Sequence, residues 1–236
     1  GAGRIDPDNM RRAITADTIL ISIMHANNEI GTIQPIEDCP AIAREHGIPF
    51  HTDAAQSVGK IATRVEDLGV DLLTVAGHKI HGAGHEGGRR AGTEIALLAA
   101  ALGQACVLAH DLAPMRAVQE LRDRFWSMLK EHFSNSVVVN GHLEKRLPNT
   151  LNVSFVGRFD VDILAAIPEV AASTGSACHS GRIELSPVLE AMGVAPEVGM
   201  GAIRFSLGRG TTGEDVDAVV LALQKAVVPT DSESRL

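Results

Sequence analysis

The sequence predicts an α/β fold, with a large, mostly parallel-sheet domain over residues 1–112 and a smaller α+β domain over residues 113–236. Two observations carry this. Through the first half, short β-branched apolar runs alternate with helical or connecting segments and each run stops at a polar residue, as strands joined by crossovers do. After two long helical regions, short strand-like runs and an amphipathic closing helix follow without that alternation.

The first strand is expected at Thr18 to Met24, where TILISIM has the character of a strand buried on both faces of a parallel sheet. It stops at Asn27-Asn28. Pro35 suits a first helical turn, Ile36, Cys39, Ile42 and Ala43 fall on one helical face, and Gly47 follows as a stop. Further strands are read at Ile48 to Thr52, ending at Asp53, and at Asp71 to Val75, ending at Gly77-His78-Lys79. Ligands of such sheets lie beyond the carboxyl ends of the strands, and all three ends here are polar. Helices are expected from Glu94 to Leu112 and from Pro114 to Phe133, then strands at Val137 to Val139 and Thr150 to Val156, and a short helix from Asp160 to Ile167. In the closing helix, about Gly213 to Val228, Val216, Val219, Val220, Leu223 and Val227 share one face and Thr212 with Asp215 forms a capping box.

The formal charge of −8 argues against nucleic acid as a partner, since phosphate binding needs a basic face. The apolar runs are too short to cross a bilayer, so no membrane is expected. The opening Gly1-Ala2-Gly3-Arg4 lacks a basic stretch followed by an apolar core, so no secretion signal is read, and the chain reads as starting within a longer protein. Cys39, Cys106 and Cys178 form no CxxC pair, which points to a reducing compartment, the cytoplasm or an organelle matrix. Cys39 and Cys106 are expected to be buried and inert on apolar helix faces. His78, His81 and His85 have no Asp or Cys at tight spacing, and Gly82 and Gly84 would leave such ligands poorly fixed, so no metal is expected there.

Asp53 and Lys79, at the ends of neighbouring predicted strands, are the first candidates for chemistry. An acid beside a pyridine nitrogen keeps it protonated, and a lysine holds an aldehyde as a Schiff base, so the pair suits pyridoxal chemistry. Asp53 is equally suited to cap the turn Asp53-Ala54-Ala55-Gln56, and Lys79 to be a solvated side chain.

Six strings extend this pair: HANNEIG at His25 to Gly31, HTDAAQSVGK at His51 to Lys60, AGHK at Ala76 to Lys79, GGRRAGTE at Gly87 to Glu94, STGSACHSG at Ser173 to Gly181 and IRFSLGR at Ile203 to Arg209. In this order they resemble the cysteine desulfurase family, class V aminotransferase-like enzymes of fold-type I that use pyridoxal 5'-phosphate. The resemblance implies a desulfurase that removes sulfur from L-cysteine, gives alanine and an enzyme-bound persulfide, and feeds iron–sulfur cluster or thio-cofactor synthesis. It also implies a homodimer working with a sulfur-acceptor protein. A selenocysteine lyase, acting on selenocysteine, and an inactive homologue kept for dimerisation or partner binding are the alternatives.

By the same resemblance, Lys79 would anchor the cofactor and Cys178 would accept the sulfur, with His179 beside it to stabilise a thiolate. Asp53 would meet the pyridine nitrogen, Gln56 the phenolic oxygen and His78 the phosphate. Thr93 would reach the phosphate of the partner protomer's cofactor, and Asn28 with Arg204 would grip the substrate carboxylate, a task suited to a guanidinium. The family carries a further segment, including a strand, between the lysine and the GGRRAGTE-like motif, whereas Lys79 and Thr93 are 14 residues apart here. It also carries a long amino-terminal part with a phosphate-binding loop and a ring-stacking histidine, so the chain is expected to correspond to the carboxyl-terminal two-thirds of such an enzyme. Ala76 stands where many relatives place a phosphate-binding serine.

Overall fold

The computed structural model describes residues 2–77, 79, 96–174 and 185–227. Two compact units are present: Arg4–Arg116 with Glu144–Pro148, and Ala117–Leu143 with Asn149 onward.

The first unit opens with α1, Pro7–Ala13, which the sequence reading missed although its start is well marked. Asp6 accepts from Asp8 N at 3.0 Å and Pro7 occupies the first turn, where its missing N–H costs nothing. Strands β1 (Ile21–Met24), β2 (Phe50–Asp53) and β3 (Leu72–Thr74) form a parallel sheet in chain order, as the alternating pattern predicts. The first strand is shorter than the run that suggests it, because Thr15 and Thr18 close a turn (Thr18 N to Thr15 O, 3.1 Å). Pairing with β2 begins only at Ile21.

The sheet has one buried face rather than two. Ile21, Phe50 and Thr52 turn inward while Ser22, Met24, Asp53, Leu72 and Thr74 are exposed, so the all-apolar TILISIM run is not matched by burial on both sides. The buried face packs on a short 3-10 turn (Ile36–Asp38) and α2 (Cys39–Glu45), with Ile36, Cys39, Ala43, Phe50, Leu68 and Val70 forming the centre. Burying a side chain the size of Phe50 contributes about 1.5–3 kcal/mol. Gly47 ends α2 at φ +66°, where a side chain would be strained, and α3 (Val65–Leu68) leads into β3. Helix α4 (Ala96–Ala109) follows, and α5 (Ala113–Phe133) carries the chain into the second unit.

That second unit is an antiparallel sheet in the order β4 (Val137–Val139), β5 (Thr150–Phe155), β7 (Ala202–Ser206), β6 (Ser173–Thr174). Every residue of β5 is buried, and Phe125 and Phe133 of α5 pack edge-on against Phe205 and Phe155, with ring centroids 5.0 and 5.3 Å apart. Helices α6 (Asp160–Ala166), α7 (Pro187–Ala191), α8 (Pro196–Gly199) and α9 (Gly213–Ala226) complete it. The capping box expected at α9 is formed: Asp215 N donates to Thr212 Oγ1 at 3.2 Å and Thr212 N to Asp215 Oδ2 at 2.8 Å.

Candidate functional site

Strands β2 and β3 run parallel in adjacent positions, so their carboxyl ends emerge at the same edge, about 5 Å apart. Asp53 is the last residue of β2, lies opposite Thr74 and is exposed on the open face. Its Oδ1 accepts from Ala55 N at 2.8 Å, which closes the turn into Gln56 and leaves Oδ2 for another partner. Gln56 is half-buried, and its Oε1 accepts from Lys60 Nζ at 3.4 Å. Beyond β3 the chain turns at Ala76, whose carbonyl accepts from Lys79 N at 3.0 Å, and Lys79 is exposed. Carboxylate, amide and amine are therefore all carried by segments leaving one sheet edge.

Asn28 sits on the loop that leaves β1. Asn27 builds that loop: its Oδ1 accepts from Glu29 N at 2.8 Å and Ile30 N at 3.0 Å, and its backbone N–H donates to Thr32 O at 2.9 Å. Gly31 closes the turn at φ +71°. The effect is to bury Asn27 and expose Asn28. A strap from Glu144–Pro148 holds the loop from outside, through Ile33 N to Lys145 O and Leu147 N to Gly31 O, both 2.8 Å.

In the second unit Arg204 lies mid-strand on β7, half-buried, between Asn152 of β5 and Ser173 of β6. Its Nη2 donates to Ser173 Oγ at 2.8 Å, which fixes the guanidinium. Ser173 and Thr174, the first residues of the STGSACHSG string, are thus a strand that pairs with Ile203 and Arg204.

His78, Thr93 and Cys178 lie outside the described residues, as do His81, His85 and His179. Cys39 is fully buried, as expected, with its thiol 3.3 Å from Pro35 O and burial pushing its pKa up to about 11. Cys106 is exposed, contrary to the sequence reading. Sequence reasoning also passed over His25, which is buried at the end of β1 with its backbone N–H on Asp53 O at 2.8 Å. Burial lowers its pKa to about 4, so its ring stays neutral. Asn27 was legible as an Asx turn former, and Ser173 only through the pairing of β6 with β7.

The family model for aminotransferase class V matches residues 1–87 and 83–219. The chain belongs to the class V aminotransferase family. Among its class V relatives, the cysteine desulfurase IscS of Dictyoglomus turgidum is 41% identical over 250 residues, covering 95% of this chain and 63% of the relative. That of Mannheimia succiniciproducens is 40% identical, covering 95% and 61%. The chain therefore spans about three-fifths of the length of these relatives. The alignment of 250 positions uses only 95% of the 236 residues here, so the first relative carries residues with no counterpart in this chain. The two matched segments meet at residues 83–87, between Lys79 and Thr93. Among solved structures, the NifS-like protein from Rickettsia africae superposes with a TM-score of 0.82 at 26% identity, covering 95% of this chain and 67% of that one. SspA, solved in complex with cysteine, superposes at 0.69 with 31% identity, covering 89% and 65%. The class V fold is thus that of the fold-type I enzymes, a parallel-sheet part and a smaller α+β part.

Among the described residues, no helix is long and apolar enough to cross a membrane.

Proposed function

We propose that the protein is a pyridoxal-phosphate-dependent cysteine desulfurase, which takes sulfur from L-cysteine, releases alanine and leaves a persulfide on Cys178. The observation that carries this reading is the exit of a carboxylate strand and an amine-bearing segment from one sheet edge, in a chain about 40% identical to proteins named as cysteine desulfurases.

The donor set fits pyridoxal phosphate. Asp53 keeps one carboxylate oxygen for the ring nitrogen while the other holds the turn, Gln56 keeps its amide NH2 for the phenolic oxygen while its carbonyl accepts from Lys60, and the exposed Lys79 amine holds the aldehyde. Bound there, the cofactor supplies an electron sink for charge developing at the substrate Cα. His78 and Thr93 are assigned to phosphate, the latter toward the partner protomer of a homodimer.

The chain's own groups do the remaining work. Arg204, steadied by Ser173, and Asn28, presented by Asn27, are assigned to the substrate carboxylate. The Lys79 amine, once released, moves the proton at Cα. The Cys178 thiolate attacks the substrate sulfur: the S–S bond forms, the Cβ–S bond breaks with its electron pair left toward Cβ, and a proton on that carbon completes alanine. A sulfur-acceptor protein then removes the outer sulfur for iron–sulfur cluster or thio-cofactor synthesis. SspA was solved in complex with cysteine, which supports the substrate.

Purified protein supplied with pyridoxal phosphate and L-cysteine is expected to form alanine and to gain the mass of one sulfur on the Cys178 peptide, both lost in Cys178→Ala. Alanine at the rate of the free cofactor, in a chain that has taken the cofactor up, overturns the reading.

A further inference from the structure

One side chain on the open face of the first unit belongs to no role assigned so far. His51 lies mid-strand in β2, two residues before Asp53, so the two side chains project from the same face. Its Nδ1 is 2.7 Å from Ser22 Oγ on β1, and its Nε2 is 2.9 Å from Thr74 Oγ1 on β3. Ser22 is its direct neighbour in the β1–β2 register, whereas Thr74 is the direct neighbour of Asp53 in the β2–β3 register. A single imidazole therefore ties all three strands, and its β3 arm ends on the residue opposite the acid.

A neutral imidazole accepts through one nitrogen and donates through the other, and each hydroxyl takes either role, so the bridge is satisfied in both tautomers. Among the described residues, β3 pairs with β2 alone. Its ladder with β2 has three residue pairs, and on the open side Leu72 is half exposed. A constellation that must hold one ring between an acid and an amine tolerates displacement of only about 0.5 Å.

We propose that His51 is a positioning residue for the cofactor: through Thr74 it fixes the strand that leads to Lys79 against the strand that ends in Asp53. This rests on the reading of the site given above. The Ser22 arm serves the sheet as a whole; the Thr74 arm sets the spacing of acid and amine.

The two arms separate by substitution, because an Asn side chain reproduces the reach of Nδ1 and a Gln side chain that of Nε2. Pyridoxal phosphate is titrated into the full chain and its variants, following the yellow absorption of the bound cofactor and its pH midpoint, beside thermal unfolding. His51→Asn and Thr74→Val are expected to weaken binding about tenfold and shift the midpoint, with the double variant no worse than either single one, since both break one bond. His51→Gln and Ser22→Ala are expected to stay within about twofold of the parent even where they melt earlier. Equal affinity in all variants, or equal losses in Ser22→Ala and Thr74→Val, overturns this inference alone. Parent protein that takes up no cofactor overturns the site reading, and the inference with it.

Discussion

Asp53 and Ala55 are joined by a 2.8 Å hydrogen bond from the Ala55 N–H to Oδ1, so the carboxylate proposed to hold a pyridine nitrogen also closes the turn after its own strand. Structure and chemistry use different oxygens of one group, and substitution separates them. Asp53→Asn keeps an acceptor for Ala55 and is expected to melt within a few degrees of the parent yet bind pyridoxal phosphate at least about tenfold more weakly, because the charge is lost. Asp53→Ala loses both and is expected to cost about 1 kcal/mol of stability in addition. Urea unfolding and cofactor titration on the same samples check both outcomes.

His25 makes stability depend on acid. Its Nδ1 finds no hydrogen-bond partner among the described residues, and burial lowers its pKa from 6.5 to about 4. The unfolded chain takes up the proton below pH 6.5 and the folded chain does not, so the stability present above pH 6.5 is lost as pH falls towards 4. Between pH 7 and pH 5 the loss from this one group is about 2 kcal/mol. Urea unfolding at both values is expected to show that slope in the parent and its disappearance in His25→Leu.

The three cysteines were separable in sequence only in part. Cys39 was legible because its helix is amphipathic, and it is fully buried with its thiol on Pro35 O. Helix α4 around Cys106 is alanine- and leucine-rich on every side, so no periodicity marks its buried face, and the inward placement read for Cys106 was wrong. Iodoacetamide at neutral pH is expected to modify Cys106 at least about a hundredfold faster than Cys39, whose pKa is pushed up to about 11. Comparable rates at the two positions would contradict the burial described.

Other parts of the fold divide along the same line between local and non-local signals. The parallel sheet, Gly47 as a stop and the Thr212–Asp215 box are written in neighbouring residues and were readable. One-sided burial of β1 and the strand at Ser173–Thr174 depend on partners 29 or more residues away, which no short window of sequence contains. The site follows suit. Asp53, Gln56 and Lys79 were proposed from type and motif, whereas His51 drew notice only when Ser22 and Thr74 were brought to its two nitrogens.

Gly201 tests the packing of the second unit. A Cβ at this position would stand 2.2 Å from Phe155 O and 2.9 Å from Arg158 O, backbone atoms that cannot rotate away. Gly201→Ala is expected to destabilise by about 2–3 kcal/mol, whereas Gly208→Ala, with open space around it, changes stability by less than about 0.5 kcal/mol. Chemical unfolding of the two variants distinguishes them.

Arg204 is expected to act on substrate rather than on folding, since Ser173 already holds its guanidinium at 2.8 Å. Arg204→Lys keeps the charge and loses the planar fork, so KM for L-cysteine is expected to rise about tenfold with a smaller change in kcat. Ser173→Ala, which frees the guanidinium without removing it, is expected to raise KM less. A fall confined to kcat would remove Arg204 from the carboxylate.

Borohydride reduction of the protein incubated with pyridoxal phosphate, followed by peptide mass mapping, tests the central assignment most directly. One pyridoxyl group is expected on the Lys79 peptide, absent from Lys79→Ala and displaced by added L-cysteine before reduction. A label spread over the other lysines, or retained in full by Lys79→Ala, would contradict the assignment of Lys79 as the anchor.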